Sequence, residues 1–172
     1  MRGEWRLRAA EKSATQMNAD KKEFMEIARR IAAHHGLWPE LVCAVIEQES
    51  GWNCWALRYE PGFYERYVAP MLERREVKRF SPGVSLETEA RGRAFSWGLM
   101  QVMGQVARER GFLGAFFSEL CDPEQGIEIG CRHLNNRIGA AQGNVERALQ
   151  LWNGGGNATY SAEVLARVAH YQ

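Results

Sequence analysis

The chain is punctuated as a succession of helices. Apolar stretches with helical period end repeatedly on glycine, and nowhere does a clean period-2 alternation persist between turn residues. Residues 21–35 place Phe24, Ile27, Ala28 and Ile31 on one stripe and stop at Gly36. A second helix begins at Pro39, where a missing N–H costs nothing, and stops at Gly51. Residues 63–80 are a charged, aromatic helical stretch that Pro70 should kink or split. Ser85 caps a short helix running towards Phe95. Ser96 caps another, carrying Leu99, Val102, Met103 and Val106 and stopping at Gly111. Asp122, Pro123 and Gln125 take the cap, first and capping-box positions of a helix that continues to about Gly143. Asn144 caps one more, which ends at Gly154–Gly156. Ser161 caps the last, with Val164, Leu165 and Val168 facing inward. The expected fold is mainly α, one compact domain behind an N-terminal arm of residues 1–20.

Length and charge narrow the function. At 172 residues the chain can bury a real core. A formal net charge of +1 argues against a phosphate-coating protein, and so against nucleic acid as a partner. The longest clearly apolar run, Leu41–Ile46, is far short of the roughly 20 residues that cross a bilayer, so no membrane span is expected. The charged opening "MRGEWRLR" is followed by no apolar stretch or small-residue cleavage site, and reads as a solvated arm rather than an export signal. Cys43, Cys54, Cys121 and Cys131 are expected as free thiols. Cys131 and His133 lie close together but without CxxC or HExxH spacing, so neither metal nor cofactor is expected.

One stretch carries unusual chemistry: "LVCAVIEQESGWN", Leu41 to Asn53. At about 100° per residue, Glu49 continues the stripe of Trp38, Val42 and Val45, whereas Glu47 falls roughly 160° away beside Glu40 and Ala44. Glu47 should face water. A carboxyl on a buried stripe loses hydration, and one in a helix's last turn meets the partial negative charge of unpaired carbonyls. Both effects raise the pKa of Glu49, as a general acid requires. The alternative is a glutamate paired with an arginine at the helix end.

"ESGWN" (49–53), "SWGLMQVM" (96–103), "ALQLWNGGG" (148–156) and then Tyr160 with Val164 and Leu165 occur in that order. This arrangement resembles the soluble lytic transglycosylase (SLT) domain, over roughly Lys21 to the C-terminus. The resemblance implies a lysozyme-like single domain of about seven to nine helices. It also implies an inserted segment at about 57–95, longer than in compact members and similar to phage and prophage versions. Its implied substrate is bacterial peptidoglycan, so the site of action would be the cell wall, and its implied state is a monomer. By the same resemblance Glu49 is the catalytic acid and base. Ser50 is a polar contact to substrate or to Glu49, Met100 and Gln101 line the sugar groove, Asn153 braces the site, and Tyr160 lies near Glu49. Each has a plainer alternative: helix end for Ser50 and Asn153, core packing for Met100.

Trp152 departs from the family, which usually has tyrosine before the asparagine. Any hydroxyl contact from that position is lost, although an indole could stack on a sugar. The implied reaction needs one carboxylate. Glu49 protonates the glycosidic oxygen between N-acetylmuramic acid and N-acetylglucosamine, then takes the proton of the muramic C6 hydroxyl as that hydroxyl closes on C1. A goose-type-like muramidase would need a second carboxylate, for which Glu60, Glu89 and Glu87 of the insertion are the candidates. A wall-binding module without turnover is the non-enzymatic alternative.

Overall fold

The computed structural model describes residues 20–172, so the arm expected before Lys21 lies outside the described residues except for Asp20. Helix α1 (20–34) leads through a turn at Gly36 into α2 (Pro39–Ser50). α2 is the axis of the molecule. Leu41 to Ile46 are each 1% exposed or less, and α2 is enclosed rather than buried on one stripe. It packs against α9 (Tyr160–Val168) and the 3₁₀ turn Ala169–Tyr171. Burying side chains of this kind contributes about 1.5–3 kcal/mol each.

The architecture is mainly α, as expected, with one small sheet that the sequence does not announce. Strands β1 (Leu57–Tyr59), β2 (Phe95–Trp97) and β3 (Val102–Met103) form a small antiparallel sheet in that order. Leu57 pairs with Trp97 and Arg58 with Ser96, while Ser96 also opposes Met103. Ser96 is therefore a strand residue and not a cap, and the helix expected from it shrinks to α6 (Gly104–Glu109). The reason lies in the turn between β2 and β3. Gly98 and Gln101 have φ of 66° and 46°, left-handed conformations that a right-handed helix cannot contain. At Gly98 a Cβ would also stand 2.3 Å from the Leu120 carbonyl oxygen. The i, i+3 apolar spacing of Leu99 and Val102 belongs to a buried turn.

Between β1 and β2 run α3 (Pro61–Phe63), a π-helical turn (Tyr64–Val68), α4 (Ala69–Glu73) and α5 (Leu86–Arg93). Ala69 N–H reaches back five residues to Tyr64 O. This widened turn delivers Pro70 into the first turn of α4, where its missing N–H is no loss. The helix stops at Glu73 rather than Phe80, and Arg75 follows at φ 59°. The segment has its own small core of Tyr64, Val68, Val77, Ala90 and Ala94. An aromatic series, Tyr59–Phe95–Trp97–Phe117, ties its base to the main body with centroids 4.9, 5.7 and 5.8 Å apart.

A 3₁₀ turn (Phe117–Cys121) precedes α7 (Pro123–Ala140), α8 (Val145–Asn153) and α9. The caps are as read from the sequence: Asp122 accepts from Gln125 N–H at 3.1 Å and Asn144 from Arg147 N–H at 2.9 Å. α9 differs. It starts at Tyr160, and Ser161 is buried within it instead of capping it. Leu165 is 36% exposed, because Tyr160, Ser161 and Val164 form the inward face. All four cysteines are free thiols. No helix of the described residues is long and apolar enough to cross a membrane.

Candidate active site

α2 ends where its two glutamates part. Gly51 terminates it in the left-handed region at φ 57°, its N–H returning to Glu47 O. Trp52 follows at φ 70°, a conformation that costs a non-glycine residue and needs outside support. The support is the bond from Trp52 Nε1 to the Tyr171 hydroxyl at 2.9 Å, with Lys21 over the indole at 5.7 Å.

Glu47 does not simply face water. Its side chain is 27% exposed, and it accepts a bond from the Tyr171 hydroxyl and contacts His170 Nδ1 at 3.4 Å. Burial raises its pKa, but the bonds from Tyr171 and His170 and the charges of His170 and Lys21 outweigh that and hold it below the ordinary carboxyl range. Helical phase alone does not reveal this, because α9 and the final 3₁₀ turn close over that side of α2. Glu47 anchors the C-terminus.

Glu49 lies on the opposite side, half-buried. Two donors converge on its Oε1: the Trp152 indole N–H at 2.8 Å and the Tyr160 hydroxyl at 2.5 Å. No hydrogen bond to Oε2 is made by the described residues. Desolvation raises the Glu49 pKa, and although both donors and the charge of Arg58 pull it back, it stays above the ordinary value. The Tyr160 hydroxyl is held protonated by burial and by the neighbouring carboxylate. The paired-arginine alternative does not apply: Glu49 makes no ion pair with an arginine among the described residues.

The donors arrive from two helices whose junction is fixed. Trp152 sits in the last turn of α8 and Tyr160 is the first residue of α9. Asn153 Nδ2 donates to Asn157 O at 3.1 Å, Asn157 Oδ1 accepts from Thr159 N–H at 2.9 Å, and the Thr159 hydroxyl bonds Glu163 at 2.5 Å. Glu163 in turn accepts from Gln48 Nε2 at 2.9 Å, which ties the junction to the residue beside Glu49.

The other expected site residues separate. Ser50 donates its hydroxyl to Ile46 O at 3.2 Å and is a helix-end group. Met100 is 0% exposed and fills the space over Gly130, so it is core and lines no groove. Gln101 donates Nε2 to Ala56 O at 3.0 Å and Gly98 O at 2.9 Å, holding the β2–β3 turn against the approach to β1. Asn153 braces the α8–α9 junction. Glu89 is 1% exposed, with its oxygens bonded by Arg93 at 3.1 Å and Arg108 at 3.0 and 2.9 Å. It is a structural ion cluster and cannot serve as a second carboxylate. Glu87 pairs with Arg91, and Glu60 lies 2.5 Å from Arg58 Nε.

Two contributors were not legible. Trp152 brings no hydroxyl, as expected, but its indole N–H donates to Glu49 Oε1, a contact that the sequence does not announce. Arg58 puts a cation within electrostatic range of Glu49 from β1, a position that no periodicity marks. A family model described as the transglycosylase SLT domain matches residues 26–168. No curated protein and no solved structure matches the chain. The chain therefore belongs to the transglycosylase SLT domain family, a lytic-transglycosylase-type family of peptidoglycan-acting enzymes.

Proposed function

We propose that the protein is a peptidoglycan lytic transglycosylase in which Glu49 acts alone, first as acid and then as base. The observation that carries this reading is the double donation to Glu49 Oε1. An oxygen that accepts two hydrogen bonds is a poor site for a proton, so the acid proton resides on Oε2. From there it passes to the oxygen between N-acetylmuramic acid and N-acetylglucosamine as the C1–O bond breaks. The carboxylate formed is stabilised by Trp152, Tyr160 and the charge of Arg58. It then takes the proton from the muramic C6 hydroxyl as that oxygen bonds to C1, which regenerates the acid and leaves a 1,6-anhydro end.

The hydrolytic alternative requires a second free carboxylate. Glu89 is fully engaged by arginines, Glu60 is ion-paired with Arg58, and the charge that bears on Glu49 is a cation. These facts favour the single-carboxylate route. Glu49→Gln keeps an oxygen for both donors and removes the transferable proton. It should fold normally and release no soluble fragments from purified peptidoglycan, and release at the wild-type rate would refute the assignment.

A further inference from the structure

Taking the proposed role of Glu49 as given, we propose that His133 is a positioning residue. Its ring, fixed by Arg110, backs the Trp152 indole so that the indole N–H stays directed at Glu49 Oε1. His133 lies on α7 and is only 9% exposed. Its ring stands against that of Trp152, centroids 4.9 Å apart and planes tilted by 44°. Arg110 Nε donates to His133 Nδ1 at 3.3 Å, and Arg110 is itself held by Asn136 Oδ1 at 3.0 Å. A relay thus runs from Arg110 at the end of α6, through His133 on α7, to Trp152 on α8 and Glu49 on α2.

The need for backing follows from geometry. An indole has one N–H on a large flat ring, so a modest rotation about its side-chain torsions carries the donor off its acceptor. A second ring packed against it restricts that rotation. Nδ1 accepts from Arg110, so the neutral ring carries its proton on Nε2. Burial and the charges of Arg137 and Arg110 push the His133 pKa down to about 3, which keeps the ring neutral at working pH. A neutral ring supports the indole without setting another cation near the general acid.

The test titrates the Glu49 carboxyl by ¹³C NMR in the full chain and in four variants: Trp152→Phe, His133→Leu, His133→Phe and the double variant Trp152→Phe/His133→Leu. Losing a donor to a charged group should raise the Glu49 midpoint by about one pH unit in Trp152→Phe. His133→Leu should raise it comparably, His133→Phe should keep it near the wild-type value by restoring a ring, and the double variant should not exceed Trp152→Phe alone. Arg110→Gln, which leaves the core intact, should raise it in the same direction by less. It provides the reading if His133→Leu does not fold. Unmoved midpoints in folded His133→Leu or in Arg110→Gln, or fully additive shifts in the double variant, would overturn the proposal. No substrate is involved, so activity in Glu49→Gln would refute the reading of function and leave the result of this titration intact.

Discussion

Trp152 donates its indole N–H to Glu49 Oε1 at 2.8 Å, across 103 positions of sequence. An indole N–H donates and cannot accept. It therefore pairs with whichever carboxyl oxygen lacks the proton and leaves the acid proton to Oε2. A tyrosine at this position could rotate its hydroxyl to serve either as donor or as acceptor, whereas tryptophan commits the oxygen to one state.

Tyr160→Phe removes the second donor to Oε1 with almost no change in shape. The lost bond favoured ionised Glu49, so the basic limb of the pH–rate profile should move to higher pH. The maximal rate of fragment release should fall about tenfold or more, as loss of a hydrogen bond to a charged group implies. An unshifted limb would show that the hydroxyl does not bear on the acid.

Arg58 is 71% exposed in its side chain and its charge lowers the Glu49 pKa. Arg58→Gln should therefore raise the basic limb at low ionic strength, and the difference should shrink with added salt. Thermal unfolding should be unchanged, since exposed ion pairs contribute about 0–1 kcal/mol. A limb that stays in place at low salt would contradict the electrostatic role.

Glu49 makes stability depend on pH in a definite direction. Its folded pKa lies above the ordinary carboxyl value of 4.5, so between the two the native state retains a proton that the unfolded chain has released. Stability is then fully present below pH 4.5 and falls as pH rises through the folded midpoint. Glu49→Gln lacks this loss. Urea unfolding should show the variant gaining on the wild type between pH 4 and pH 7.5, and a relative loss over that range would contradict the burial of the carboxyl.

Glu89→Gln tests the ion cluster between α5 and α6. The change leaves Arg93 and Arg108, both almost fully buried, without their counter-charge. Breaking such a cluster costs about 3–5 kcal/mol, readable as a lower urea midpoint. Fragment release at low temperature should persist, because Glu89 performs no chemistry. Loss of release in a folded Glu89→Gln protein would restore it as a catalytic candidate.

The sequence carried the fold where local rules decide structure. Asp122, Asn144 and Pro39 mark helix starts, and Gly36, Gly51 and Gly154 mark stops, because capping and left-handed turns are properties of a few adjacent residues. It misled where tertiary contacts decide. β2 and β3 are three and two residues long, too short for an alternation to appear, and the apolar turn between them mimics a helical stripe. Glu47 and Leu165 exchanged their expected environments because only the assembled α2 and α9 show which faces are covered. At the site, Glu49 is marked by its phase on α2 and by the motif order, and Tyr160 by the motif order alone. Arg58 and His133 reach the site across long sequence separations and carry no local signal, and the sequence marks Trp152 only as a departure from the motif.

The most direct test is product analysis of purified peptidoglycan digested in ¹⁸O-labelled water, with the fragments read by mass spectrometry. Fragments ending in 1,6-anhydromuramic acid and free of label are the expected result, and they should disappear with Glu49→Gln. Reducing ends carrying ¹⁸O would contradict a single-carboxylate lyase and require a water-activating group beside Glu49.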